Sequence, residues 1–379
     1  MKLAYFTDTY LPNRDGVVTS ILGFRRELEK RGNEVYVFAP GSRKIKKENA
    51  DPRVFYTTST PFRPYPAYRI ALFPFMMERD VKDVGAGLVH THGIASMGLA
   101  AARTAYALEL PFVGTFHTMV TEATHYVYTH EVGREFVESM MWKYLQGFFN
   151  RCHQVTAPIP CTAKLMEQHG IANVNVVPNG VDIERFSLKT DPGSLRNTLG
   201  VRGPMILHVG RLVVEKNLDT LIRAAPAVLS KKPDAKFVVL SEGPAKADYV
   251  EMVEGAGLAG SFIFTGFVPD ADLPLYYAAA DVFAIPSRFE TQGVVALEAM
   301  AAGRKVVGAN WLALPDFIEH GRNGFLFDAN NPADCAAKIL EALDAGPEIG
   351  RAARKTAEDY SIERCTDRLL DVYKKAMAR

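Results

Sequence analysis

Residues Phe283–Gly303 read FAIPSRFETQGVVALEAMAAG, and this stretch decides the architecture. A short apolar run closes at Pro286, a polar loop continues to Gln292, and an alanine-rich apolar segment opens at Gly293 and stops at Gly303. Strand, loop and helix in that order make one step of a parallel sheet covered on both faces. At the helix start the backbone N–H groups of Gln292, Gly293 and Val294 have no intrahelical acceptor. They can meet an anion there, and the helix dipole adds to the attraction. Glu298 follows five residues after Gly293, about 7–8 Å along the axis, among the apolar Val294, Val295, Ala296, Leu297, Ala299 and Met300. A lone acid in such a run is paired or functional, because an unpaired buried charge is costly. A carboxylate at that point can accept from two vicinal hydroxyls, as a ribose offers. Glu290, ahead of the helix, is placed to reach a sugar hydroxyl.

The same alternation extends outward in both directions. Met205–Val209, Lys236–Leu240, Ser261–Thr265, Asp281–Ile285 and Lys305–Gly308 are expected strands, with a helix over Asn217–Leu229. Earlier in the chain, strands are expected at Leu3–Phe6, Glu34–Ala39, Gly87–His90 and Phe112–Phe116, with helices over Ile21–Arg31 and Gly98–Leu108. Pro192, Gly193, Gly200 and Gly203 cluster in a seam within Asn179–Gly203, and Ser361–Ala378 has the periodicity of an amphipathic helix. The fold class is therefore α/β, with two Rossmann-like domains facing across a cleft.

A second chemistry-bearing segment is HVGRLVVEKN, His208–Asn217, in the loop leaving the first strand of the second unit. Open α/β sheets bind ligands at the carboxyl ends of their strands. Arg211 and Lys216 there can stabilise a diphosphate leaving group without a metal. Gly210 is expected to permit a tight turn. The matching loop of the first unit, Thr7–Gly16, offers Gly16 for close approach of a phosphate to a backbone N–H. His117, in GTFHT, closes a strand at its carboxyl end; His90, His92 and His125 are further candidates with no assigned role. Asp270–Ala271–Asp272 spells D-x-D, but Pro269 before it and a helical stretch after it favour helix capping over metal binding. Neither opening strand leads into G-x-G-x-x-G, and the chain has no Walker A, H-E-x-x-H or G-x-S-x-G motif, which weighs against nicotinamide redox chemistry.

At 379 residues the chain is long enough for two domains, and 44 basic against 43 acidic residues gives no electrostatic case for nucleic-acid binding. Residues 1–180 carry 20 basic and 16 acidic side chains, and residues 181–379 carry 24 and 27. Arg25, Arg26, Lys30, Arg31, Arg43, Lys44, Lys46 and Lys47 lie close in sequence and are read as solvated surface or as a patch for anionic lipid. The four cysteines form no C-x-x-C pair and are expected to be reduced thiols. With no long apolar run and no signal-peptide pattern, the expected location is cytoplasmic, with attachment at the inner face of the cell membrane as an option.

As an ordered set, FETQGVVALEAMAAG with its E-x7-E pair, HVGRLVVEKN, VPNGVD (Val177–Asp182), HGRNGFLF (His320–Phe327) and the opening FTDTYLPNRDGVVTSI resemble the retaining glycosyltransferases of family 4. The resemblance implies a GT-B fold with domains at 1–185 and 186–360, and a C-terminal helix, 361–379, crossing back to the first domain. It implies hexose transfer from a nucleotide-sugar donor of the UDP-glucose, UDP-galactose or GDP-mannose type, with retention by a front-face mechanism and no cofactor or metal. By motif match, Arg211 and Lys216 hold the diphosphate and Glu298 the ribose. Glu290 and the Gln292, Gly293 and Val294 amides hold the donor sugar and β-phosphate, His117 contacts the sugar, and Gly266–Val268 lies near the base. Several positions depart from the family pattern. Asp15 precedes a single Gly16, the usual G-D-G-P loop is Ser241–Pro244, Lys305 stands where proline is frequent, and Trp311–Ala313 replaces a glycine-rich turn.

Glu290–Gly293, the FHTM stretch with His125–Tyr126, and Leu314–Asp316 are similar to transferases that act on diacylglycerol or phospholipid-type acceptors. Phe62, Tyr65, Tyr68, Phe73 and Phe75 would suit lipid docking. A lipid acceptor with peripheral membrane association is the leading expectation. The alternatives are a soluble sugar or polysaccharide acceptor, an epimerase, and a non-catalytic nucleotide-sugar-binding protein.

Overall fold

The computed structural model describes residues 1–13, 15–62, 68–117 and 134–378. His125, Tyr126 and Tyr65 lie outside the described residues. The chain forms two units, Met1–Gly180 with Ile362–Arg379 and Val181–Ser361, so the crossover falls five residues before the expected 185/186 boundary. Val181 already belongs to the second unit because its N–H donates to the Tyr360 carbonyl at 2.9 Å.

In the first unit, eight short runs become β1 (Lys2–Phe6), β2 (Glu34–Gly41), β3 (Val54–Pro61), β4 (Arg69–Ala71), β5 (Leu88–Thr91), β6 (Phe112–Thr115), β7 (Gln154–Ala157) and β8 (Val174–Val176). They are ordered β4-β3-β2-β1-β5-β6-β7-β8, parallel except for β4 against β3. The second unit has β9 (Met205–Val209), β10 (Lys236–Leu240), β11 (Phe262–Gly266), β12 (Val282–Ile285), β13 (Lys305–Ala309) and β14 (Phe325–Phe327), ordered β11-β10-β9-β12-β13-β14 and all parallel. Central strands such as β5 and β12 are buried along their whole length, as a sheet covered on both faces requires. Strand order reverses at β1/β5 in one unit and at β9/β12 in the other. The carboxyl edges of these pairs are where such sheets bind ligands.

Ile362–Met377 is a helix whose Ile362, Cys365, Leu369, Val372, Tyr373 and Ala376 recur every three or four residues and are buried with Leu3, Tyr5, Val18 and Ile21. The C-terminal helix therefore completes the core of the first unit. Gly180 permits the crossing, since a Cβ there would lie 2.4 Å from the Ile362 backbone.

Three local expectations change. The first helix begins at Gly16 instead of Ile21, because the Asp15 side chain caps it by accepting from the Val18 N–H at 2.9 Å. Asp272 makes no side-chain cap to the helix Leu273–Ala279, while Asp270 pairs with Arg185 at 3.3 Å. The basic run also divides. Arg25 is held by Glu29 and Asp51, Arg31 by Glu27 and Asp367, and Lys30 by Glu27, while Arg43, Lys44, Lys46 and Lys47 lie on the short helix Arg43–Glu48, which buries no residue and where Lys44 pairs with Glu48 at 3.8 Å. All four cysteines are free thiols. Among the described residues, no helix is long and apolar enough to cross a membrane.

Candidate active site

The loops leaving β9 and β12 meet at the reversal of strand order in the second unit. Asn217, left-handed at φ 56° and buried, ties them together: its side-chain amide donates to Thr220 Oγ1 at 2.9 Å and to the Pro286 carbonyl at 3.3 Å. Arg288 donates to its Oδ1 at 3.3 Å. This bracing brings Lys216 to Glu290. The ammonium donates to Glu290 Oε1 at 2.6 Å and to the Phe289 carbonyl at 3.1 Å, with the two side chains only 22% and 12% exposed. Arg211 lies in the same loop and is exposed.

Glycine at 293 is required twice over. Its φ is +80°, and a Cβ would lie 2.8 Å from Leu314 Cδ2. Helix Val294–Ala301 begins there with no side chain capping it, next to buried Gln292 and half-buried Val294. The anion-binding geometry expected of these three amides is thus left to the backbone. Glu298, partly buried on that helix, accepts a hydrogen bond from Tyr277 Oη at 2.7 Å. Burial raises its pKa to about 7, opposed by the Tyr277 hydrogen bond and by Arg185.

One expectation at this edge is corrected. Gly210 is not left-handed, and a Cβ there would come no closer than 3.5 Å to His208, so no tight turn demands glycine. Instead, Gly243 in the adjoining loop is obligatory, since its Cβ would lie 2.2 Å from the Leu212 carbonyl oxygen. In the turn after β11 the Val268 side chain packs on the core and its neighbour Phe267 is 75% exposed.

Sequence reasoning gave His208 no role. Its Nδ1 lies 3.0 Å from the Ala284 carbonyl, which can only accept, so the proton sits on Nδ1 and Nε2 is a bare acceptor. That Nε2 is buried without a partner among the described residues, and burial drops the pKa to about 4. The signal for this residue was its place at the end of an otherwise apolar strand.

In the first unit, Gly16 is exposed, with open space where a Cβ would stand. His117, just after β6, hydrogen-bonds through Nε2 to His92 Nδ1 at 2.9 Å, and the rings stack at 5.2 Å. His90, whose ring lies 4.1 Å from that of His92, bridges Tyr373 of the C-terminal helix at 2.7 Å and Thr115 at 2.6 Å. Burial holds all three imidazoles neutral, His117 at about 4. Asp8 accepts from the Ala95 and Met97 N–H groups, each at 2.9 Å, at the start of helix Ser96–Ala107.

Comparison with known proteins then decides the family. Residues 14–185 match the model described as Glycosyltransferase Family 4, and residues 203–345 match Glycosyl transferases group 1. The alpha-monoglucosyldiacylglycerol synthase of Streptococcus pneumoniae is 30% identical over 358 residues, covering 92% of this chain and 80% of that protein. The chain belongs to glycosyltransferase family 4. This glycosyltransferase is also 26% identical to the GDP-mannose-dependent alpha-mannosyltransferase of Corynebacterium glutamicum, over 100% of its own length and 90% of the relative. Its fold matches the crystal structure of Anabaena HepE in complex with UDP, at TM-score 0.79 and 20% identity over 99% of this chain and 100% of that one. The enzyme is a hexosyltransferase of the GT-B type.

Proposed function

We propose that this glycosyltransferase moves a hexose from a UDP- or GDP-linked donor to a lipid acceptor at a membrane surface, with retention of anomeric configuration. The observation that carries the reading is the Lys216–Glu290 contact at the β9/β12 edge, beside a helix start left without a side-chain cap. A cation and a hydrogen-bonding carboxylate at one point suit a diphosphate bonded to a polyhydroxyl ring. In this reading Lys216 and Arg211 take the diphosphate oxygens, and the Gln292, Gly293 and Val294 amides take the β-phosphate. Glu290 accepts from the sugar hydroxyls and Glu298 from the ribose, Gly16 and Gly210 leave room for the donor, and backbone near Val268 borders the base. His117, neutral throughout the working pH range, offers the sugar an uncharged partner. With the departing charge met by side chains and amides, the reaction needs no metal.

The lipid acceptor is supported by the names of the relatives and by the stretch after β3. There Phe62, Leu72, Phe73, Phe75 and Met76 are 37–77% exposed in the first unit. Apolar side chains of that density mark an interaction surface. The test incubates the protein with UDP- and GDP-hexoses and diacylglycerol or phospholipid vesicles, with and without EDTA. The expected result is release of nucleoside diphosphate that depends on lipid and is unchanged by EDTA. Turnover with soluble sugars alone would move the acceptor assignment, and loss of activity in EDTA would remove the metal-free clamp.

A further inference from the structure

The opposite edge of the second sheet carries a cluster of cations that donor chemistry does not use. A cleft of about 800 Å³ opens where β9, β12 and β13 begin, and Arg196, Arg202, Lys232, Arg304, Lys305 and Arg351 all line it. With strands rising about 3.3 Å per residue, it lies about one strand length, roughly 15 Å, from the loops at the carboxyl edge. Three carboxylates stand near: Asp281 pairs with Arg196 at 3.0 Å, Asp344 with Lys232 at 2.7 Å, and Glu348 lies close to Lys305. The cleft keeps an excess of positive charge.

Part of this charge serves the fold. Arg196 donates to the Ala279 and Gly203 carbonyls, Arg304 to Ala278, Ala280 and Ala302, and Lys305 to Ala345. Several of these are the open carbonyls just past helix C-termini, where cations are favoured. Those bonds also fix Arg304 and Lys305 in place, and burial lowers the pKa of both. Arg202 and Arg351 hold no such carbonyls; both are exposed and neither has a partner among the described residues. Lys305, which departs from the proline frequent in this family, adds one of the fixed cations.

We infer that this cleft is a second anion site, taking a ligand with at least two negative phosphate charges, distinct from the donor site at the other edge of the sheet. A cleft of this volume matches an organic phosphate of nucleotide size. The free guanidinium forks of Arg202 and Arg351 can each hold two phosphate oxygens, with the fixed cations beside them adding charge. A soluble phosphate ester and a phospholipid headgroup share this chemistry.

The test uses the full chain carrying Arg211→Ala and Lys216→Ala, so that the donor-side cations no longer contribute. Inorganic pyrophosphate is titrated by calorimetry in magnesium-free buffer, and vesicles containing phosphatidic acid, a phosphomonoester, are tested by sedimentation, each with and without added Arg202→Gln and Arg351→Gln. The expected result is binding in at least one arm, weakened at least tenfold by the two glutamines; the responding arm identifies the source of phosphate. Binding in neither arm, or binding that the glutamines leave unchanged, overturns the inference. Exposed and unpartnered, Arg202 and Arg351 can be replaced without disturbing the core, and an unchanged melting curve checks this.

Discussion

The two units share a strand order around their reversal points, yet the helices that follow β5 and β12 start in opposite ways. In the first unit, the start of Ser96–Ala107 is met by the protein's own carboxylate, Asp8, which accepts from Ala95 and Met97. In the second, Val294–Ala301 begins at left-handed Gly293 with no side chain at its cap, and a lysine stands in the neighbouring loop. The surroundings differ in the same sense. The first unit gathers three neutral histidines with Tyr5 and Tyr373, whereas the second pairs Lys216 with Glu290. An open helix start beside a cation suits an anionic ligand, and a self-capped one beside neutral rings suits hydroxyl groups. Under the proposed function, one topology divides charged from uncharged recognition through a few side chains.

The strongest way to break this contrast is Lys216→Ala. Removing a charge that meets a developing phosphate charge costs on the order of 10²–10³ in kcat/KM. Initial rates should fall by that factor, and thermal stability should fall as well, because Glu290, only 12% exposed, is left without its partner. A fall below threefold would place the leaving group elsewhere. The reverse experiment is Asp8→Ala. It strips the acceptor from two backbone N–H groups and should lower stability by about 1–2 kcal/mol, read by denaturant unfolding, with donor affinity unchanged.

Glu298→Gln sharpens the contrast through pH. The folded-state pKa of Glu298, about 7, lies above the ordinary carboxylate value of 4.5. The native state therefore holds this proton more tightly than the unfolded chain, and its contribution to stability declines as pH rises from about 4.5 to 7. Glutamine escapes that loss and can still accept from Tyr277. The variant should melt about 2–4 °C above the parent at pH 8, and the gap should close near pH 4.5. If Glu298 binds the ribose hydroxyls, KM for donor should rise about tenfold; equal melting temperatures at pH 8 would contradict the burial.

Much of this was legible from the chain, for identifiable reasons. β9, β10 and β12 were readable because fully buried strands appear as unbroken apolar runs. β3, β4, β7, β8 and β14 went unnamed: β4, β8 and β14 have three residues each, and β3 and β8 are largely half-exposed, leaving little periodicity to find. Glu298 announced itself as an acid in an apolar run, but its partner Tyr277 is 21 residues away and belongs to another helix. Lys216 and Glu290 were each visible within their loops. Their contact, across 74 residues, follows from the β9/β12 adjacency that only the folded sheet supplies. The histidine network is hidden for the same reason, since His90 meets Tyr373 from the far end of the chain.

The smallest effect concerns Ser241, at the carboxyl end of β10. Its φ is +108°, a region that residues with a Cβ rarely enter, and its N–H is held by the Gly266 carbonyl at 2.9 Å. The family pattern has glycine at this position, and the following Gly243 packs against the Leu212 backbone of the Arg211 loop. Strain of this kind amounts to about 1–3 kcal/mol, and glycine's added freedom in the unfolded chain returns part of any gain. Ser241→Gly should therefore stabilise the enzyme by about 0.5–1 kcal/mol, a rise of about 1–4 °C in Tm. Because the strain lies wholly within Val181–Ser361, hydrogen exchange should slow there and stay unchanged in the first unit. A lower Tm would mean that the serine hydroxyl, not the backbone, fixes this loop, and that the charged edge of the second sheet is held by side chains on both of its approaches.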